Sequence, residues 1–242
     1  TVWTYGAKPL YRPGDPGAGH TFGGYSSAIT VIDNFVVKIP DALPLDQAAP
    51  LLCAGITMYS PLKRFGAGPG RRVGIVGLGG LGHVGLKIAK AMGAHVSLIT
   101  SSPAKVADGR ALGADDVIVS TDAAAMKAAR LSLDLIVDTV SATHDMDAYM
   151  GLLALEGALV MVGLPPGKLP IKASTLINKR RIFTGSNIGG IAETQEMLDF
   201  CAAHGITAEI ERIAAQQIDS AYERLARADV RYRFVIDAAT LG

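Results

Sequence analysis

The chain of 242 residues is long enough for one large domain or two small ones with a sizeable core. Hydrophobic residues make up 49% and charged residues 19%, which excludes a disordered polyelectrolyte, and a formal net charge of +1 gives no general pull toward nucleic acid or an anionic membrane. No run of about 18 uncharged apolar residues suggests a membrane span, the first residues lack a secretory h-region, and only Cys53 and Cys201 occur, so a soluble, cytoplasmic protein without a disulfide framework is expected.

Residues 19–40, GHTFGGYSSAITVIDNFVVKIP, alternate short β-prone runs with Gly, Asp-Asn and Pro, which predicts a few antiparallel strands. Residues 45–62 are rich in Ala and Leu and predict a helix. An alternation of strand and helix follows. Strands are expected at 73–76, 95–100, 117–120, 133–138, 159–162 and 181–185. Leu81, Val84, Ile88 and Met92 recur at helical spacing after the first strand, and residues 104–112 form a second helix. The strands are continuous apolar runs, as in a parallel sheet buried on both faces. The expected fold is therefore α/β, a doubly wound parallel sheet of the Rossmann type with right-handed crossovers. From Thr194 a helix carries Met197, Leu198 and Cys201 on one face. The tail Tyr232-Arg233-Phe234-Val235-Ile236-Asp237 reads as a strand with no partner inside that alternation.

The stretch VGIVGLGGLGHVG at 73–85 places Gly77, Gly79 and Gly82 in a G-x-G-x-x-G pattern, after a strand and opening a helix. Gly77 permits the tight turn, Gly79 lets backbone approach a pyrophosphate, and Gly82 allows close packing of helix on strand. The backbone of Leu78, Gly80 and Leu81 then belongs to the same phosphate cradle, at the positive end of a helix. The bland alternative is a glycine turn serving packing alone.

The end of the second strand selects the dinucleotide. An NAD site usually has a carboxylate there to accept from the ribose 2′-OH. Here the sequence is Thr100-Ser101-Ser102-Pro103-Ala104-Lys105, with three hydroxyls, a lysine and no acid. A lysine about 4 Å from a 2′-phosphate charge attracts it by about 1 kcal/mol in water and about 4 kcal/mol at an effective dielectric of about 20. NADP is the expected cofactor. Ser101 or Ser102 capping the following helix is a compatible, purely structural reading.

Together these stretches resemble the zinc-dependent medium-chain alcohol dehydrogenases, in their cinnamyl alcohol dehydrogenase-like branch. The residues carrying the resemblance are Pro50-Leu51-Leu52-Cys53-Ala54-Gly55-Ile56-Thr57, GLGGLGH at 77–83, Ile99-Thr100-Ser101-Ser102, Gly185-Ser186-Asn187-Ile188-Gly189-Gly190, Glu193-Thr194-Gln195-Glu196 and the tail YRFVID at 232–237. The resemblance implies that Cys53 is a catalytic zinc ligand and that Thr57 lies on the cofactor. It also implies that Val162, Gly163, Leu164, Ser186, Asn187 and Ile188 sit near the nicotinamide, and that Thr100, Ser101 and Lys105 meet the 2′-phosphate. The reaction implied is reversible reduction of an aldehyde to a primary alcohol by NADPH, with a small-molecule substrate and a homodimer joined along the sheet edge near 183–185. Lys179-Arg180-Arg181 is too short a basic run for a nucleic-acid patch.

The family's other catalytic ligands, a cysteine and a His-Glu pair, and its four-cysteine structural zinc site belong to a region that this chain is expected to lack. Cys53 alone does not make a zinc site, which takes three protein ligands and an open position. His20, beside Gly23-Gly24-Tyr25, and His83 and His95 read as histidines satisfying local hydrogen bonds, and His144 and His204 as polar, helix-like positions. The expected organisation is a remnant of the GroES-like β-rich catalytic domain at 1–50, the NADP-binding domain at 51–194 and a return to the catalytic domain at 195–242. A catalytically silent NADP-binding module remains open as an alternative. Cys53 counts against a zinc-free quinone reductase, and the absence of an acid after the second strand counts against a methyltransferase-like nucleotide site.

Overall fold

The computed structural model describes Ile29 and residues 31–241. The expected strands at 19–28, His20 and Gly23-Gly24-Tyr25 lie outside the described residues. In the described part of that stretch, residues 31–40 hold a single 3-10 turn, Asp33–Phe35, and no strand. The backbone of Lys38 is bonded instead by a side chain: its N–H donates to Gln195 Oε1 at 2.8 Å, and its carbonyl accepts from Gln195 Nε2 at 3.0 Å.

The helix expected at 45–62 is divided. A short α1 (Leu45–Ala48) passes into a 3-10 turn (Ala49–Leu52), and α2 (Ala54–Arg64) starts afresh. Pro50 has no N–H to offer a continuous helix, and Cys53 leaves helical geometry at φ −122° and ψ −66°. Cys53 therefore sits at the start of α2 rather than within a helix.

The six expected strands are present: β1 (Arg72–Val76), β2 (His95–Thr100), β3 (Asp116–Val119), β4 (Leu133–Asp138), β5 (Leu153–Met161) and β6 (Ile182–Gly185). All pair in parallel, in the order β3-β2-β1-β4-β5-β6, which is the doubly wound order with a switch point between β1 and β4. β5 begins six residues before its expected start, across an irregularity that jumps from Leu133↔Leu153 to Leu135↔Ala158. Glu156 takes φ 59° there, and its N–H donates to Lys179 O at 2.8 Å.

The connecting helices are α3 (Gly82–Ala91), α4 (Val106–Ala111), α5 (Ala123–Ala128), α6 (Met146–Met150) and α7 (Ala173–Ile177), followed by α8 (Ile191–His204). They cover both faces of the sheet. Leu135 and Val137 share one buried cluster with Ile56, Met58, Leu86, Ile88 and Met197, whereas Leu133 and Ile136 point the other way, to Met146 and Met150. Along a strand this alternation explains why both neighbours of a buried residue are apolar too. Asp122 caps α5 by accepting from Ala124 and Ala125 N–H, and Gly205 at φ +63° ends α8 in the left-handed region. The boundary expected between 194 and 195 falls within α8, whose Met197, Leu198 and Cys201 are buried in the core.

The tail strand, β8 (Arg233–Asp237), lies outside the six-stranded sheet as expected, but it is not unpaired. It runs parallel to β7 (Ile210–Ala214) through the crossover helix α9 (Ile218–Ala226). This small unit docks on α3, α4 and the glycine turn. Lys87 reaches Glu209 at 2.6 Å and Thr207 O at 3.0 Å, and Arg231 pairs with Asp108 at 3.1 Å. Among the described residues no helix is long and apolar enough to cross a membrane.

Candidate functional site

The site is built where β1 ends. Val76 gives way to Gly77 at φ +90°, and a Cβ there would lie 2.8 Å from Thr139 Oγ1, so only glycine makes this turn without strain. A Cβ on Gly82 would run into Gly77 O, so α3 presses directly on the turn. Gly79, by contrast, faces open space. Gly77, Leu78, Gly79, Gly80, Leu81 and Gly82 thus form an open-topped cradle at the N-terminus of a ten-residue helix, whose free N–H groups favour an anion.

His83, in the first turn of α3, is fully buried and structural, as its sequence context suggests. Its Nε2 accepts from Glu209 N–H at 3.1 Å, so Nδ1 carries the proton and donates to Gly79 O at 3.0 Å. The ring stacks on Tyr232 with centroids 4.7 Å apart. Burial pushes this imidazole down to about 4, which keeps it neutral at physiological pH.

That anchoring delivers a residue whose role is not assigned in the sequence. Arg233, the residue after Tyr232, lays its guanidinium over Gly80, so that a Cβ at Gly80 would collide with it. Arg233 Nε is buried and has no hydrogen-bond partner, alone among the buried side-chain polar atoms of the described residues. An unpaired buried donor on a cation is costly. Here it lies against Gly80 of the cradle, where a dinucleotide pyrophosphate would supply an acceptor. The described residues therefore fit such a cofactor. The YRFVID motif is visible in the sequence, but what its arginine faces is not.

At the end of β2, Thr100 is buried and its Oγ1 accepts from Ser102 N–H at 3.2 Å. Ser102 makes no side-chain cap to the following turn, and Ser101 is exposed. Lys105 turns back and donates from Nζ to Leu78 O at 2.9 Å, joining this strand end to the cradle. No carboxylate stands at 100–105. Val162-Gly163-Leu164 and Ser186-Asn187-Ile188 follow β5 and β6, with Val162 and Gly163 N–H both donating to Asp138 O at 2.9 Å and Ser186 N–H donating to Met161 O at 3.0 Å.

Cys53, just before α2, and Thr57, on it, lie one turn apart, and Thr57 N–H donates to Cys53 O at 3.0 Å. Ile56 packs against Gly189, where a Cβ would come within 2.7 Å of Ile56 Cδ1. The PLLCAGIT block and the 185–190 segment are thereby brought together. Cys53 itself is exposed. Among the described residues no three His, Cys, Asp or Glu side chains converge to hold a metal, so these residues alone do not fit a zinc ion. His95 pairs with Asp116 at 2.7 Å, and His204 bonds Phe200 O at 2.9 Å. His144 differs from its expected helix-like, polar setting: it lies in the loop before α6, mostly buried, against Asp138.

Comparison with known proteins agrees with this geometry. The sequence profile of the zinc-binding dehydrogenase family matches residues 80–203. The chain is 55% identical over 240 residues to NADP-dependent alcohol dehydrogenase C 1 of Mycolicibacterium smegmatis, covering 99% of this chain and 67% of that protein. It is 54% identical over 234 residues to an aldehyde reductase of Escherichia coli, covering 95% and 66%. A crystal structure of the cinnamyl alcohol dehydrogenase of Helicobacter pylori, complexed with NADP(H), superposes with a TM-score of 0.86 at 38% identity, over 98% of this chain and 67% of that one. The chain spans about two thirds of the length of these relatives. With parallel sheet, glycine cradle and sequence in agreement, the chain belongs to the zinc-binding dehydrogenases, among the medium-chain alcohol dehydrogenases.

Proposed function

We propose that the chain binds NADPH across the C-terminal ends of β1 and β4 and serves hydride transfer between that cofactor and an aldehyde or primary alcohol. The observation that carries the reading is the unpaired, buried Nε of Arg233 held over Gly80 at the N-terminus of α3. Guanidinium and helix N–H groups converge there on the space a pyrophosphate fills. Lys105 and the hydroxyls of Ser101 and Ser102 receive the 2′-phosphate, while Thr100 holds their turn. Val162, Gly163, Leu164, Ser186, Asn187, Ile188 and Thr57 take the nicotinamide end. The nicotinamide supplies the hydride when bound, and the chain binds and orients it. The aldehyde or alcohol follows from the relatives, which are named as NADP-dependent alcohol dehydrogenase and aldehyde reductase.

Cys53 is assigned to the zinc as one ligand, with the remaining ligands outside the described residues. A homodimer forms along β6, the outer strand of the sheet, where Ile182 and nearby Ile177 are exposed. Sedimentation checks this, and a monomer at micromolar concentration overturns it. A cytoplasmic location suits two free cysteines, one of them buried Cys201.

A second reading, a cofactor-binding module without its own chemistry, is favoured by the isolation of Cys53 among the described residues. Mixing the full chain with NADPH and an aromatic aldehyde separates the two. Aldehyde-dependent loss of the reduced nicotinamide absorbance supports the enzyme; NADPH binding without it supports the module; failure to bind NADPH contradicts both.

A further inference from the structure

Asp138 closes β4 with a carboxylate that is fully buried. Oδ1 accepts from Val140 N–H at 3.0 Å, and Oδ2 lies 2.7 Å from His144 Nε2. The second ring nitrogen, Nδ1, lies 2.8 Å from Ala142 O. A carbonyl only accepts, so Nδ1 carries a proton. The short Nε2–Oδ2 contact needs another proton between ring and carboxyl. The pair thus holds two protons, either as imidazolium and carboxylate or as neutral ring and carboxylic acid, and both forms are neutral overall. Burial raises the Asp138 carboxyl, its largest influence, against the hydrogen bonds and charge that lower it. With one proton fewer, a lone pair must face either Ala142 O or Asp138 Oδ2.

The surroundings are otherwise poor in charge. Tyr149 of α6 stands edge-on to the His144 ring at 5.0 Å, with Ser120 near its hydroxyl. Asp145 is engaged as the cap of α6 through Ala148 N–H. Val76 and Met161, the neighbours of Asp138 on β1 and β5, do not ionise.

What the pair holds is the segment 139–141. Thr139 donates to Val76 O from both N–H, at 3.1 Å, and Oγ1, at 2.7 Å. Ser141 Oγ accepts from Leu164 N–H at 3.1 Å. A Cβ on Gly163 would run into Val140 O, and one on Gly77 would crowd Thr139 Oγ1. The segment is wedged between the glycine cradle and the 162–164 backbone, at the switch point of the sheet.

We infer that Asp138 and His144 are positioning residues for the dinucleotide, a hydrogen-bonded clasp that fixes 139–141 and through it Gly77 and Gly163, so that cofactor affinity depends on the bond between His144 Nε2 and Asp138 Oδ2. This rests on the NADPH reading above. Asp138→Asn tests it directly, because an amide accepts from Val140 through Oδ1 and still donates to His144 Nε2, whereas Asp138→Ala does neither.

The experiment is a reduced-nicotinamide fluorescence titration of the full chain with NADPH at neutral pH. His144→Ala and Asp138→Ala are expected to bind about tenfold more weakly, and Asp138→Asn to recover most of that loss. If the alanine variants do not fold, His144→Phe, which keeps the bulk of the ring without either hydrogen bond, takes their place. Wild-type affinity in the variants that lose the bond overturns the clasp, as does an Asp138→Asn variant as weak as Asp138→Ala. A wild type that binds no NADPH overturns the cofactor reading, and this inference with it.

Discussion

Lys105 Nζ donates to Leu78 O at 2.9 Å, so the residue that reads the far end of β2 is tied to the glycine cradle after β1. The cation is held at a fixed place between two strand ends rather than left to wander in solvent. In the proposed reading it meets the ribose phosphate with little entropy left to lose.

Lys105→Ala is expected to reduce the preference for NADPH over NADH by about ten- to a hundredfold, between the limits of about 1 kcal/mol in water and about 4 kcal/mol at an effective dielectric of about 20 for the loss of one charge. The lost bond to Leu78 weakens both cofactors alike, so the ratio of the two dissociation constants isolates the phosphate contact. An unchanged ratio places the 2′-phosphate elsewhere.

Arg233→Ala is expected to weaken NADPH and NADH together, by about tenfold or more, the usual worth of a hydrogen bond to a charged group. Because the wild-type Nε is buried without a partner, its removal leaves the unliganded protein at least as stable. Calorimetric titration and denaturant unfolding check both halves. Full affinity in the variant contradicts the pyrophosphate role.

Gly82→Ala and Gly79→Ala should fail in different ways. A Cβ on Gly82 meets Gly77 O, and such overpacking costs about 1–3 kcal/mol of stability. Gly79 looks into open space, so its alanine variant keeps wild-type stability to within about 0.5 kcal/mol but blocks the approach of the pyrophosphate. Equal unfolding midpoints for the two variants would refute this division of labour.

His83 makes stability depend on pH. An unfolded histidine binds its proton near 6.5, the buried one only near about 4. Between these values the unfolded state holds more protons, so the contribution of His83 is complete above about 6.5 and is lost as pH falls toward 4, at up to about 1.4 kcal/mol per pH unit. Urea unfolding of wild type and His83→Gln across this window checks it. The stability gap between them narrows in acid; parallel curves contradict the assignment.

The parallel sheet is legible in the sequence because strand centres such as Leu135-Ile136-Val137 are apolar on both faces. The glycine turn is legible because its backbone geometry admits few alternatives. β7 escapes notice because Glu211 and Arg212 interrupt its apolar pattern, and pairing with β8 is a long-range choice. Arg233 and His144 are hidden for the same reason. Their partners, Gly80 and Asp138, come near only after the tail docks on α3 and the loop after β4 folds back on its strand. Sequence spacing carries no record of either event.

The most direct measurement is a calorimetric titration of the full chain with NADPH and, separately, NADH. One site per chain is expected, with NADPH preferred by at least about tenfold. Equal or tighter binding of NADH, or no heat with either, contradicts it.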